Sequence, residues 1–307
     1  DESMTSLQRS VDLGVNFFDT AWGYGEGHSE ALLGRLIKQN PDKKLYTATK
    51  MPPKNFIWPS RREFTLDDCF PPGHIEKYVH NSLKNAKLES FDLMQFHVWE
   101  DSWVEDDRWA KKMDELRTQG LIGAVGISIN RWEPFNGVEA VRSGLIDSVQ
   151  VIYNVFDQNP EDELFPACRE HGVGVIARVP FDEGTLTGTL TVDSKWPEGD
   201  WRNTYFVPEN LVASVQRADA LKPLVPAGMT MPDMVLRFIL AEATVSTIIP
   251  GMRKRRHVAA NVAASGAAVA NSPEVRRIGW VLSERGRDRD LMLECLAELP
   301  FLELCGS

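Results

Sequence analysis

The stretch VNFFDTAWGYGEGH, Val15 to His28, decides how the rest of the chain is read. Val15 to Asp19 is a short apolar run rich in β-formers that ends on an acid. Glycines follow at 23, 25 and 27, and a helical pattern opens at His28. Strand, glycine loop and helix in that order look like the phosphate-binding turn of an open, doubly wound sheet. The spacing rejects it: with Gly23 and Gly25 as the first glycines of G-x-G-x-x-G, the third falls on His28. The glycines therefore shape a tight loop, and the strand end carries two polar side chains, Asp19 and Tyr24.

The pattern repeats along the chain. Further β-rich runs are predicted at Leu45 to Thr49, Asp92 to Phe96, Gly123 to Ile127, Asp147 to Val151, Val173 to Ala177 and Val245 to Ile249. Helical patterns fall between them, at His28 to Gln39, Gly73 to Leu88, Glu105 to Gln119, Glu133 to Arg142, Pro160 to His171, Pro208 to Leu224 and Met231 to Leu240. Strict alternation implies a parallel sheet covered by helices. The count is seven strands, with an amphipathic helix, Met4 to Leu13, ahead of the first. A closed barrel takes eight. The expectation is an α/β protein of the (β/α)8 TIM barrel type whose first strand lies upstream of Asp1 and is missing from this chain; an open doubly wound sheet also accommodates seven.

Polar residues distinguish the two. A barrel gathers functional groups at the C-terminal ends of many strands, a doubly wound sheet at one switch point. Here Asp19 and Tyr24 follow the first run, Lys50 the second, His97 the third, and Ser128 and Asn130 the fourth. Gln150 and Tyr153 belong to the fifth, Arg178 follows the sixth, and Gly251 with Arg253 follow the seventh. That distribution favours the barrel, as one domain over residues 1–307.

Composition sets outer bounds. Lys plus Arg number 34 against 44 Asp plus Glu, a net charge of -10, which argues against a nucleic-acid or anionic-membrane partner. Any anion must be met by a local site. Cys69, Cys168, Cys295 and Cys305 form no Cys-x-x-Cys pair, so reduced thiols in a cytoplasmic protein are expected, with no metal. The polar opening DESMTSLQRS does not read as a signal peptide. The Ala-rich stretch from Val258 is broken by Asn261, Ser265 and Gly266 and does not read as a membrane span.

Asp19, Tyr24, Lys50 and His97 together form a proton-handling set. A phenol with a pKa of about 10 is a poor acid at neutral pH, and a nearby ammonium favours the phenolate. Lys50 supplies that charge, Asp19 holds the lysine charged, and a neutral His97 orients a substrate oxygen. Singly each has a plainer reading, as a cap, a solvated lysine or a buried histidine. Four at successive strand ends point to a site.

In order, NFFDTAWGYGEGHSEALLG, YTATKMPP, DLMQFHVWED, GISIN, QVIYNVFD, GVGVIARVPFDEGTLTG and TIIPGMRKRRHVAANVAAS resemble the successive motifs of the aldo-keto reductase superfamily, over about residues 3–265. The resemblance implies NADPH-dependent reduction of an aldehyde or ketone, with Tyr24 as general acid, Lys50 and Asp19 tuning its pKa, and His97 orienting the carbonyl. It implies Ser128, Asn130 and Gln150 as partners of the nicotinamide carboxamide, although Ile129 separates a Ser–Asn pair that is adjacent in most relatives. The segment Arg178 to Gly188, with Pro180, Gly184 and Leu186, looks like the loop passing over the pyrophosphate; Arg178 stands where many relatives have an aromatic residue. Gly251 and the basic run MRKRRH lead into a helix, where Arg253 and Lys254 suit a 2′-phosphate, Asn261 the adenine edge, and His257 replaces a more usual glutamine. A basic run alone reads as a solvated helix face; at a helix start it suits an anion.

Trp22, Phe56, Trp58, Trp99 and Trp103 come from loops after strands and are expected to wall an apolar pocket for the carbonyl compound. The aromatic stretch Thr189 to Val207 reads as a lid. Residues 266–307 carry no motif, beyond an amphipathic pattern at Leu291 to Leu299. A second reading stays open: some proteins of this fold are cofactor-sensing regulatory subunits of channels.

Overall fold

The computed structural model describes residues 2–130 and 133–265. The expectations for residues 266–307 lie outside the described residues. The elements run α1 (Glu2–Asp12), β1 (Phe17–Asp19), α2 (His28–Gln39), β2 (Tyr46–Met51), α3 (Leu66–Cys69), α4 (Pro72–Ala86), β3 (Phe91–Phe96), α5 (Arg108–Thr118) and β4 (Ile122–Ser128). They continue with α6 (Val138–Arg142), β5 (Ser148–Ile152), α7 (Leu164–His171), β6 (Gly174–Arg178), α8 (Arg202–Tyr205), α9 (Pro208–Leu221), α10 (Met231–Leu240), β7 (Val245–Ile248) and α11 (Arg255–Ser265).

The strands form one parallel sheet in the order β1-β2-β3-β4-β5-β6-β7. It curls. In a flat sheet β1 and β5 would stand about 19 Å apart, four spacings of about 4.8 Å. Yet the Gln150 amide on β5 donates to Asp19 Oδ1 on β1 at 3.1 Å. An apolar cluster tells the same story: Ala48, Leu93 and Ile176 are joined by Phe17, Ala124 and Ile249, residues drawn from both ends of the strand order. This is the curved parallel sheet of a (β/α) barrel, not an open doubly wound one. Among the described residues β1 pairs only with β2, and β7 only with β6.

Strand pleating sets which side chains enter the barrel, because alternate residues share a face. Phe17, Ala48, Leu93, Ala124 and Ile176 share the apolar layer. Two residues further along lie Asp19, Lys50, Gln95, Gly126 and Arg178, so a polar layer sits directly on the apolar one. Gly126 makes room for it: a Cβ there would lie 2.4 Å from Ser148 Oγ and 3.0 Å from Gln95 Cγ.

Three helices start later than expected: Glu105 to Gln119 opens at Arg108, Pro160 to His171 at Leu164, and the third shows the local causes most clearly. Glu133 to Arg142 is helical only from Val138. Pro134 lacks a donor and Gly137 is a poor helix former, and the Asn136 side chain accepts from Asp101 N–H instead (2.8 Å). Asp101 in turn accepts from Glu139 and Ala140 N–H at the new helix start.

The chain divides into two compact units. The first lies within Asp1–Ile152, Asn159–Arg178 and Ala243–Ala263 and contains the whole sheet. The described part of the second is Tyr153–Gln158, Val179–Glu242 and residues 264–265. Its core joins Phe206, Leu211 and Val215 to Leu190, Trp196 and Tyr205, and Tyr153 stacks on Phe238. Among the described residues no helix is long and apolar enough to cross a membrane.

Candidate active site

The polar layer closes on Asp19. Its Oδ2 accepts from Lys50 Nζ at 2.5 Å, and its Oδ1 accepts from Gln95 (2.9 Å) and Gln150 (3.1 Å). The Gln150 amide also donates to Gln95 Oε1 at 3.2 Å. Lys50, 1% exposed, gives a second hydrogen bond to the Thr20 carbonyl (2.8 Å). Its Nζ lies 5.3 Å from the centre of the Tyr24 ring.

Tyr24 sits in the loop before α2, 49% exposed. The loop is fixed by short-range bonds. Gly27 N–H donates to Trp22 O (2.8 Å) and Ser29 N–H to Tyr24 O (3.2 Å). Gly27 has φ of 92°, and a Cβ there would run into the Asn85 amide, which donates to the buried Glu30 carboxylate. His97, one residue past β3, meets Tyr24 edge to face at 5.9 Å. Burial first, then Lys50 and Arg178, push its pKa down to about 3, so its imidazole is neutral at physiological pH. Its Nδ1 is buried and has no hydrogen-bond partner. The four residues read from the sequence are thus brought together. Gln95 is the member that reading leaves out; its signal is a polar residue two before His97 in an apolar strand, on the same face.

Of the proposed carboxamide partners, Ser128 is buried at the end of β4, in register with Gln150 on β5. Gln150 lies inside the polar layer, its amide nitrogen engaged by Asp19 and Gln95. Asn130 is turned elsewhere: its Oδ1 accepts from Ser60 N–H (3.3 Å), and its Nδ2 donates to Ser60 O (3.4 Å) and Glu100 Oε1 (3.1 Å). Arg178 donates to the Ile129 carbonyl at 2.9 Å.

Trp22, Phe56 and Trp58 form a half-exposed arc beside His97, with ring centroids 6.0 Å apart for Trp22–Phe56, 6.2 Å for Phe56–Trp58 and 5.6 Å for Trp58–His97. Trp99 and Trp103 do not join it. Both are buried, packed on each other at 5.6 Å, and Trp99 also packs on Phe96 and Trp109. The Trp99 indole N–H is taken by Asp101 and that of Trp103 by Phe64 O.

After β7, Gly251 and Arg253 are exposed and Lys254 is half-buried, with no ion pair to either cation among the described residues. The Arg253 carbonyl accepts from the buried Ser6 hydroxyl of α1 (2.7 Å), which fixes the run's backbone. On α11, His257 Nε2 accepts from Arg256 (3.3 Å). Burial and then its cationic neighbours hold His257's pKa below the ordinary value. Asn261 Nδ2 is buried without a partner.

The expected pyrophosphate loop beyond Arg178 belongs to the second unit. Pro180 and Leu186 are buried there, and Gly184 and Gly188 adopt positive φ. Val179, Asp182 and Glu183 do so as well. For a β-branched residue such as Val179 this is a strained conformation of the kind that clusters at functional segments. The Asn154 amide donates to the Val179 carbonyl at 3.1 Å.

A curled parallel sheet whose strand ends hold a buried lysine–carboxylate pair beneath a half-exposed tyrosine ring defines a (β/α) barrel protein with a polar site at its strand ends. The model described as the aldo/keto reductase family matches residues 1–279, and the chain belongs to that family of oxidoreductases. The NADH-specific methylglyoxal reductase of Escherichia coli (strain K12) is 28% identical over 263 residues, 82% of this chain and 78% of its own. An aldo-keto reductase of Schizosaccharomyces pombe, named with NADP(+), is 28% identical over 267 residues, 84% of this chain and 76% of its own. Among solved structures, the holo form of an aldo-keto reductase from Bacillus halodurans matches with a TM-score of 0.69 at 25% identity, covering 92% of this chain and 88% of that one. The glycerol dehydrogenase of Gluconobacter oxydans shares the fold at a TM-score of 0.72 and 24% identity, covering 96% and 84%.

Proposed function

We propose that this protein reduces an aldehyde or ketone to the alcohol at the expense of NADPH, with Tyr24 as proton donor. The observation that carries the reading is the Asp19–Lys50 pair, buried directly beneath the Tyr24 ring. A fixed ammonium at that position stabilises the negative charge that develops on Tyr24 Oη as its proton leaves. Asp19, held by three donors, fixes Lys50 in place. His97, neutral because it is buried beside two cations, offers a ring N–H to the carbonyl oxygen without adding a second acid to the site. As the alkoxide forms, the proton passes from Tyr24 Oη to the substrate oxygen.

A nicotinamide cofactor, when bound, supplies the hydride. The chain's residues suit one: Asn261 keeps a buried amide without a partner, and Arg253 and Lys254 have no carboxylate partner among the described residues. Arg253 and Lys254 would hold a 2′-phosphate, His257 and Asn261 the adenosine end, and Ser128 and Gln150 the carboxamide. Gly251 and Arg178 complete the cofactor set on the unit that carries the sheet. Relatives are named for NADH and for NADP(+) alike; the two cations favour NADPH here. Trp22, Phe56 and Trp58 would receive the substrate. Cys69 and Cys168, buried free thiols whose pKa burial pushes up to about 11 and about 12, suit a reducing compartment such as the cytoplasm.

The test is NADPH oxidation, followed by absorbance, over a panel of aromatic and aliphatic aldehydes, 1,2-dicarbonyls and keto sugars. Turnover of at least one is expected. Tight cofactor binding without any turnover would replace the enzyme reading with that of a cofactor-binding regulatory subunit.

A further inference from the structure

The loop between β2 and α3 carries Phe56 and Trp58, and its backbone is anchored at several points. His74 Nε2 meets Pro52 O at 2.8 Å, Lys54 N–H donates to Cys69 O at 2.8 Å, and the Trp103 indole donates to Phe64 O at 2.8 Å. Between these anchors, two residues from Trp58, lies Ser60. Its peptide N–H and C=O are both met by one side chain, the Asn130 amide, at 3.3 and 3.4 Å.

An amide that accepts from a residue's N–H and donates to its C=O imitates a strand neighbour and fixes both position and rotation of that peptide segment. Asn130 is itself seated. Its Nδ2 also donates to Glu100 Oε1, and Glu100 Oε2 accepts from Asn136 Nδ2 at 3.0 Å. Asn136 is locked in turn by the Asp101 N–H and the Trp99 carbonyl. Ser60, Glu100 and Asn130 are all buried, so water does not replace these bonds.

We propose that Asn130 is a positioning residue for the carbonyl pocket: it clasps the Ser60 backbone from both sides, seated on Glu100, and so holds Trp58 against His97. The role assigned here differs from that of a cofactor contact. It deepens the reductase reading, since it names what fixes the pocket wall, and it rests on that reading for what the pocket admits. Asn130 acts on substrate affinity through Trp58, not on the proton transfer itself.

The experiment uses Asn130→Ala, Trp58→Ala and the double variant. Three readouts are needed: KM and kcat for benzaldehyde, NADPH affinity by fluorescence titration, and hydrogen–deuterium exchange over residues 56–62. Asn130→Ala is expected to raise KM about tenfold, the effect of losing two modest hydrogen bonds to the wall. Exchange over residues 56–62 accelerates while NADPH affinity stays within about twofold. In the Trp58→Ala background, Asn130→Ala adds little to KM, because the residue through which it acts is gone. Should Asn130→Ala not fold, Asn130→Ser serves, since its short hydroxyl side chain puts no charge beside Glu100 and does not reach both the N–H and the C=O of Ser60. Weakened NADPH binding with unchanged loop exchange would overturn the proposal, as would an undiminished KM effect without Trp58. If the parent protein turns over no carbonyl, the reductase reading fails by itself. Exchange over residues 56–62 then decides the clasp, with faster exchange supporting it and unchanged exchange refuting it.

Discussion

Replacing Asp19 by Asn removes one oxygen's charge and leaves everything else the same size. If the remaining oxygen keeps its bonds to Gln95 and Gln150, the new amide group faces Lys50 Nζ, donor against donor. Lys50 keeps only the Thr20 carbonyl. Lys50 and the Asp19 side chain are 1% and 4% exposed, so solvent does not screen the loss. Breaking one side of a buried ion pair costs about 3–5 kcal/mol. That is a fifth or more of a typical total stability of about 5–15 kcal/mol.

The pair Asp19→Asn with Lys50→Met removes both charges and is expected to lose less stability than Asp19→Asn alone. It nonetheless stays catalytically silent, because no ammonium lies under Tyr24. Urea denaturation followed by circular dichroism reads the first effect, and aldehyde-dependent NADPH oxidation the second, where Asp19→Asn should lower kcat by about a hundredfold or more. An Asp19→Asn protein within about 1 kcal/mol of the parent, with its rate intact, refutes the reasoning. So does a double variant less stable than the single one.

The basic run gives a second expectation. Arg253→Ala with Lys254→Ala should weaken NADPH by about a hundredfold, two charge-assisted contacts of about 1.5–3 kcal/mol each being lost in part to screening, and leave NADH nearly unchanged. Titration at two salt concentrations checks this, the NADPH effect shrinking at higher salt; equal weakening of both cofactors contradicts the assignment. His97 gives the third. Its folded-state pKa of about 3 lies below the ordinary 6.5, so between those values the unfolded chain binds a proton that the folded protein refuses. Stability from this group is therefore complete above about pH 6.5 and is lost as pH falls toward 3. Its ring resonances in NMR should not titrate between pH 8 and 5, and a midpoint near 6.5 would contradict the buried, cation-flanked placement.

What the sequence makes legible follows from periodicity. Helices His28–Gln39 and Met231–Leu240 run between the residues their patterns name, since each opens behind a clear start signal, Gly27 and Thr230–Met231–Pro232. Parity on the strands puts Asp19, Lys50 and His97 on one face, and the same parity already contains Gln95, whose role needs only the rule that polar residues in a barrel interior must find partners. Trp99 is less readable. It keeps the parity of His97, but β3 ends at Phe96, so the alternation no longer tells rim from core. Asn130 is harder still: its neighbours Ser60 and Glu100 lie 70 and 30 residues away, and no local pattern reports a contact at that range.

The central claim is that Tyr24 delivers the proton. Tyr24→Phe removes one hydroxyl from a half-exposed ring and leaves the Lys50–Asp19 pair beneath it untouched. For a carbonyl substrate the parent protein turns over, the account predicts a kcat lower by about two to four decades, with NADPH affinity within about twofold of the parent. A Tyr24→Phe protein that retains near-parental kcat would contradict the claim, whatever its cofactor affinity.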